Sequence, residues 1–204
     1  MKILFTCGGT AGHINPAVAL ARLFQERNPD CEVLFVGARG GMEEDLVPKE
    51  GFPLKTVTIS NFWRSVTPAS LRHNLRTVRN LSVSRREADV ILDEFQPDLV
   101  VGTGGYASYP VVSGAARRGI PTAVHEANAV PGLTTKRLSK TADKIMVGYE
   151  EARENYSDPD MWRSPAPPSA WSFSRPAGSR RGTPWASRTA ARCSCPTGAA
   201  WAPT

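Results

Sequence analysis

Residues 2–13 read Lys2-Ile3-Leu4-Phe5-Thr6-Cys7-Gly8-Gly9-Thr10-Ala11-Gly12-His13, a short apolar run that ends in glycines. A run of that length fits a strand buried on both faces, and glycines directly after it allow a tight turn into a helix. Pro16 is then expected to open the helix, with Val18, Leu20, Ala21, Leu23 and Phe24 forming its apolar side. Asn28-Pro29-Asp30 ends it, and Cys31–Val36 predicts a second buried strand.

The same cycle repeats along the chain. A helix over 42–50, a weak strand over 54–59 and a long helical pattern over 68–95 lead to a strand at 98–101. That strand runs into Gly102-Thr103-Gly104-Gly105-Tyr106, the second glycine-rich turn. A small-residue helix over 108–118, a strand over 121–124, a helix over 132–141 and a last strand over 144–147 follow. Continuous apolar strands alternating with helices predict an α/β fold over residues 1–157, a doubly wound, Rossmann-like parallel sheet covered on both faces.

Charge and composition divide the chain near residue 160. Its 204 residues carry a formal net charge of +6, but residues 161–204 hold six arginines and no acid, so the first 160 residues are neutral. Global charge therefore gives no support to nucleic-acid binding. Four of the five tryptophans also lie in the last 44 residues, and no Ile, Leu, Val or Tyr follows Tyr156. Without those side chains the tail has no means of offsetting chain entropy with a core, and it is expected to be disordered. Cys7 and Cys31 are expected to be buried thiols; Cys193 and Cys195 lack a zinc spacing. With no signal peptide and no apolar stretch near the ~18 residues of a span, a reducing, cytoplasmic setting is expected.

Both glycine turns follow strand ends, where ligands bind in such sheets and where backbone N–H groups can approach phosphate. Gly8-Gly9-Thr10-Ala11-Gly12 is not the dinucleotide fingerprint, and it lacks the P-loop lysine. One such turn is weak, since strand-to-helix turns need glycine for steric reasons; two at one edge point to a phosphate-containing or sugar substrate. His13 follows the first turn, where the positive end of a helix favours a neutral imidazole able to accept a proton from a hydroxyl. His125-Glu126-Ala127-Asn128 is a second polar cluster after a strand, read equally well as a hydrogen-bonded loop. No metal site and no cofactor is expected.

The segments Gly8–His13 with Asn15-Pro16, Met42–Pro48, Gly104–Ser108 and His125–Thr134 occur in order. Together they closely resemble the amino-terminal half of the MurG family of bacterial glycosyltransferases. The resemblance covers roughly residues 1–157. It implies the acceptor-binding lobe of a two-lobed GT-B transferase that moves N-acetylglucosamine from UDP-GlcNAc to the undecaprenyl-diphosphate-linked muramoylpentapeptide, converting lipid I to lipid II for peptidoglycan. By that resemblance, the first glycine turn and Gly104, Gly105 and Tyr106 would cradle the acceptor diphosphate, with His125 and Glu126 beside them. Thr10, Ala11, Gly12 and Asn128 would reach the donor sugar, and His13 would be the base acting on the acceptor 4-hydroxyl, with inversion and no metal. Ala11 stands where the family commonly has glycine, and Ala127 where it has glutamine.

Between Phe62 and Arg86 there are six arginines (Arg64, Arg72, Arg76, Arg79, Arg85 and Arg86) and no acid. Leu71, Leu75, Val78 and Leu81 keep near-helical spacing. A core-facing stripe with a solvated basic face is one reading, and a helix lying on an anionic membrane surface is the other. Phe62 and Trp63 just before it favour lipid contact. A peripheral location on the cytoplasmic face of the bacterial membrane follows from the resemblance.

The family continues beyond this point with a donor-binding lobe. Read in the frame that begins one base earlier, Cys193 to Pro203 permits V-L-L-S-Y-G-G-S-L-G-A, and Pro165 to Ala170 permits G-T-P-V-R. Both look like motifs the family carries in order, so residues 158–204 are expected to be a frame-shifted, unstructured tail. The chain is then expected to be poorly active or inactive alone. A non-catalytic acceptor-binding, membrane-docking module is the alternative.

Overall fold

The computed structural model describes residues 1–60, 67–156 and 162–163. The chain divides into two units, Met1–Ser164 and Pro165–Thr204, and all described residues lie in the first. Of the expected tail, Trp162 and Arg163 are described; the remainder, with Cys193 and Cys195, lies outside the described residues.

Among the described residues seven parallel strands form one sheet: β1 (Lys2–Thr6), β2 (Glu32–Ala38), β3 (Leu54–Val57), β4 (Leu99–Gly102), β5 (Thr122–Glu126), β6 (Lys144–Val147) and the two-residue β7 (Trp162–Arg163). Their spatial order is β3-β2-β1-β4-β5-β6-β7. The chain winds outward from β1 to β3, returns through a long helix, and winds the other way from β4. β1 and β4 are thus the neighbours at which the winding reverses, with Ile3 opposite Leu99 and Thr6 opposite Gly102. The doubly wound parallel sheet read from the sequence is the observed fold. β7 was not expected; it pairs beside β6, with Ile145 opposite Trp162.

Helices α1 (Ala11–Arg27), α2 (Glu43–Lys49), α3 (Pro68–Phe95), α4 (Ser108–Arg117) and α5 (Leu133–Leu138) join the strands, and a short 3-10 helix spans Glu150–Asn155. Alternate strand residues face opposite layers. On one side Leu4, Leu34, Val36, Val100 and Val124 pack with Ala88, Ile91 and Leu92 of α3, Val111, Val112 and Ala115 of α4 and Leu138 of α5. On the other side Phe5 stacks on Phe35 at 5.4 Å between ring centroids and meets Phe24 of α1 at 6.3 Å. Phe35 in turn reaches Phe52 at 5.1 Å. Fully burying one such aromatic contributes roughly 1.5–3 kcal/mol, so this chain of rings helps to hold α1 and the segment after α2 against the sheet.

Two boundaries differ from expectation. α1 begins at Ala11, not at Pro16, and Pro16 lies inside it. The proline lacks the N–H that would bond the Gly12 carbonyl, so α1 goes without one bond in its second turn. α5 stops at Leu138, where Ser139, Thr141 and Ala142 turn the chain through bonds to Thr135 and Leu138 carbonyls. Cys7 and Cys31 are free and buried.

Candidate functional site

The carboxyl ends of β1, β4 and β5 bring three turns to one edge of the sheet, and in a doubly wound sheet the crevice there is where ligands bind. The first turn carries Gly8 to His13. Thr10 has extended backbone at the helix N-cap, and no side chain caps α1. First-turn amides have no intrahelical acceptor, so those of Ala11 and Gly12 are aimed out of the helix end together with its positive dipole.

His13 sits in that first turn, its amide bonded to the Thr10 carbonyl at 3.0 Å. Its Nδ1 lies 3.0 Å from the Gly8 carbonyl oxygen and 3.3 Å from Thr10 Oγ1. A carbonyl oxygen only accepts, so the proton of the neutral ring belongs on Nδ1 and the lone pair on Nε2. The Thr103 hydroxyl donates to the His13 carbonyl at 2.6 Å, tying α1 to the β4 turn.

The second turn is built against the first. Gly104 and Gly105 have φ of +104° and +81°, where a side chain is strained. A Cβ at Gly104 would stand 2.7 Å from His13 Cδ2, and one at Gly105 would overlap the Gly8 carbonyl. Tyr106 lays its ring on Gly9, where an added Cβ would be 3.0 Å from Cε1. Burial, and then the nearby Glu43 carboxylate, push the Tyr106 hydroxyl pKa upward. Ser108, fully buried, donates to the carbonyls of Gly104 at 2.7 Å and Thr6 at 3.0 Å, closing the turn over β1.

The third turn leaves β5. Glu126 is 3% exposed, and its Oε1 accepts the Asn128 amide at 3.0 Å and Asn128 Nδ2 at 2.8 Å. Oε2 accepts the Gly132 amide at 3.1 Å. Both oxygens are therefore engaged within their own loop, and Glu126 is placed to hold Asn128 in position. Because the Asn128 amide turns its NH2 to the carboxylate, its Oδ1 points away from it. His125 is half-buried; burial lowers its pKa, the Glu126 carboxylate opposes that, and His13 lowers it further.

The structure thus gathers Thr10, Ala11, Gly12, His13, Gly104, Gly105 and Tyr106 around one pair of turns, with His125, Glu126 and Asn128 on the adjoining strand end. Phe62, Trp63 and Arg64 lie outside the described residues. Arg72, Leu75 and Arg76 fall on α3, but their side chains lie outside the description; Arg79 is exposed. Among the described residues no cluster of His, Cys, Asp and Glu could hold a metal ion, and no helix is long and apolar enough to cross a membrane.

Glu43 was missed as a site residue. It is fully buried at the start of α2, and its Oε1 accepts the Gly9 amide at 2.6 Å. Beside it, burial first and this carboxylate second push the Cys7 thiol up to about 12. In sequence it is one of three acids, Glu43, Glu44 and Asp45, that open the helix and read as exposed partners of its dipole.

Residues 3–147 match the family model of the glycosyltransferase family 28 N-terminal domain. A Thermoanaerobacter sp. (strain X514) protein named UDP-N-acetylglucosamine–N-acetylmuramyl-(pentapeptide) pyrophosphoryl-undecaprenol N-acetylglucosamine transferase is 47% identical over 152 residues, 74% of this chain and 41% of its own length. The transferase of the same name from Acetivibrio thermocellus is 43% identical over 158 residues, 78% of this chain and 42% of its own. The chain therefore spans less than half the length of these curated relatives. Among solved structures, Acinetobacter baumannii MurG superimposes with a TM-score of 0.66 at 24% identity, covering 80% of this chain and 45% of that one. A Neisseria meningitidis UDP-GlcNAc 2-epimerase bound to UDP-GlcNAc does so with a TM-score of 0.55 at 17% identity, covering 79% of this chain and 45% of that one. At those identities the structures speak for the fold, while the family model covers most of the chain and every turn of the site. The chain belongs to glycosyltransferase family 28 and carries its N-terminal domain.

Proposed function

We propose that residues 1–157 are the acceptor-binding lobe of an inverting transferase that moves N-acetylglucosamine from UDP-GlcNAc to the 4-hydroxyl of the undecaprenyl-diphosphate-linked muramoylpentapeptide. The observation that carries this reading is the meeting of three turns at β1, β4 and β5, where an uncapped helix start and the His13 Nε2 lone pair share one edge. The names of the 40–47% identical relatives supply the donor and acceptor.

The acceptor diphosphate lies against the first turn and the Gly104-Gly105-Tyr106 turn, where backbone amides and the α1 dipole favour negative charge. Thr10, Ala11, Gly12 and Asn128 approach the donor sugar. His13 Nε2 takes the proton of the 4-hydroxyl as its oxygen attacks the anomeric carbon; the bond from that carbon to the diphosphate of UDP breaks on the opposite face, and UDP leaves. Residues 158–204 are read as a frame-shifted tail, although Trp162 and Arg163, expected to be unstructured, pair with β6, and turnover by this chain is expected to be weak or nil. Arg72, Arg76 and Arg79 on α3, with Leu75 and the preceding Phe62 and Trp63, rest on the anionic cytoplasmic face of the membrane that carries the acceptor.

The experiment compares the 204-residue chain with a frame-restored protein in sugar transfer from UDP-GlcNAc to a lipid I analogue. Transfer by the restored protein alone, reduced about 10²–10⁴-fold in its His13→Gln variant, supports the reading. Transfer by the 204-residue chain overturns the expectation that it turns over weakly or not at all. The alternative reading is a non-catalytic acceptor-binding and membrane-docking module. Acceptor binding with no turnover in either protein favours that second reading.

A further inference from the structure

Two hydrogen bonds of the site meet on one peptide group. The unit joining Gly8 to Gly9 offers its carbonyl oxygen to His13 Nδ1 at 3.0 Å and donates its N–H to Glu43 Oε1 at 2.6 Å. A planar amide links the two ends through its own resonance. An acceptor pulling on the N–H makes the carbonyl a better acceptor in turn, the cooperative strengthening expected of hydrogen-bonded chains at low dielectric.

We propose that Glu43 is a positioning residue for His13, acting through the Gly8–Gly9 peptide to hold the proton on Nδ1 and the lone pair on Nε2. A carboxylate commonly does this for a histidine by direct contact. Here one peptide unit stands between the two side chains. The arrangement rests on His13 being the base of the reaction proposed above, and it supplies the tautomer that such a base requires.

The surroundings are shaped for the carboxylate. Glu43 is fully buried, and three glycines from three segments line its slot. A Cβ at Gly8 would stand 2.9 Å from Oε1, one at Gly37 would stand 2.7 Å from the Glu43 Cβ, and one at Gly41 would overlap Oε2. Among the described residues Oε2 is buried without a hydrogen-bond partner, and the carboxylate's described bond is the one to Gly9. Burying such a group for structure alone is costly, and an apolar side chain would fill the slot at less cost. Gly9 itself is held at φ +87° between this carboxylate and the Tyr106 ring.

The test is solution NMR on the 15N-labelled 204-residue chain, reading the His13 ring by long-range proton–nitrogen correlation and the Gly9 amide proton by its shift. The wild-type ring is expected as the Nδ1–H tautomer, with a strongly downfield Gly9 amide. Glu43→Gln keeps an oxygen for Gly9 but removes the charge, so the Gly9 amide moves upfield and the ratio of Nδ1–H to Nε2–H falls about two-fold or more. A role confined to packing would leave the tautomer where it was. An unchanged ratio in folded Glu43→Gln, or an Nε2–H tautomer in the wild type, overturns the proposal.

Should Glu43→Gln fail to fold, Glu43→Asp keeps the charge but shortens its reach to the Gly9 amide. Its Gly9 amide is expected to move upfield together with a fall in the His13 Nδ1–H fraction, and movement of the amide with the tautomer unchanged overturns the proposal. None of these readings requires sugar transfer, so they stand or fall separately from the transferase assignment.

Discussion

The Cα of Gly104 lies against the imidazole of His13, close enough that a Cβ there would stand 2.7 Å from Cδ2 and 3.0 Å from Nε2. The missing side chain at Gly104 is the space the ring occupies. Gly104→Ala should therefore act twice, by straining a backbone at φ +104° and by pushing the ring off its bond to Gly8. Urea unfolding is expected to show a loss of about 1–3 kcal/mol. In the frame-restored transferase, turnover should drop by roughly 10²-fold, the usual consequence of a misplaced reacting group. Wild-type stability and turnover in Gly104→Ala would show that the ring does not pack there.

Glu126 is predicted to be a loop-closing residue whose removal is felt at Asn128. Glu126→Ala leaves the Asn128 and Gly132 amides without their carboxylate, at a cost of about 2–3 kcal/mol in chemical denaturation. Glu126→Gln retains one acceptor and should lose about half as much. A Glu126→Ala protein as stable as the wild type would place the carboxylate in contact with ligand instead.

Tyr156 carries a buried hydroxyl with no hydrogen-bond partner among the described residues, beside Ile145, Val147 and Ala152. Burial, and then the Glu126 charge, raise its pKa. Removing an unsatisfied polar atom while keeping the ring should be neutral or favourable, so Tyr156→Phe is expected to gain up to about 1 kcal/mol. A loss of similar size, read from the same urea curves, would reveal a partner for the hydroxyl.

His125 sets a pH dependence. Its folded pKa is lowered by burial and by His13, against the raising effect of Glu126. The unfolded chain therefore binds a proton at a higher pH than the folded one, and stability falls as pH drops below the ordinary histidine value. The slope contributed by this group is at most about 1.4 kcal/mol per pH unit. Urea midpoints measured at several pH values should fall less steeply in His125→Gln than in the wild type, and parallel curves would refute the assignment.

The alternation of elements was legible because buried parallel strands have no polar face to obscure them. Ile3-Leu4-Phe5, Val33–Val36 and Leu99–Val101 read as unbroken apolar runs and are strands. The start of α1 was not legible, since Gly12 is a poor helix former and Pro16 is a stronger local start signal than Thr10 or Ala11. Only the sheet edge behind the turn makes the helix begin five residues earlier. Glu43 was hidden for a different reason. Its neighbours Glu44 and Asp45 are exposed, and nothing in a run of three acids distinguishes the one that Gly8, Gly37 and Gly41 enclose.

The order of the strands also sets when the site can exist during synthesis. β1 leaves the ribosome first and finds β2 and β3 on one flank, while its other flank waits for β4, with Ile3 paired to Leu99. At bacterial elongation speeds that interval is roughly 5–20 s, during which the inner edge of β1 is bare and the His13 ring has no Gly104 to lie on. An exposed edge of Ile, Leu and Phe invites pairing with another chain. The nascent protein is therefore most vulnerable to aggregation before β4 emerges, and a ligand of the three turns can protect it only after β5 has followed.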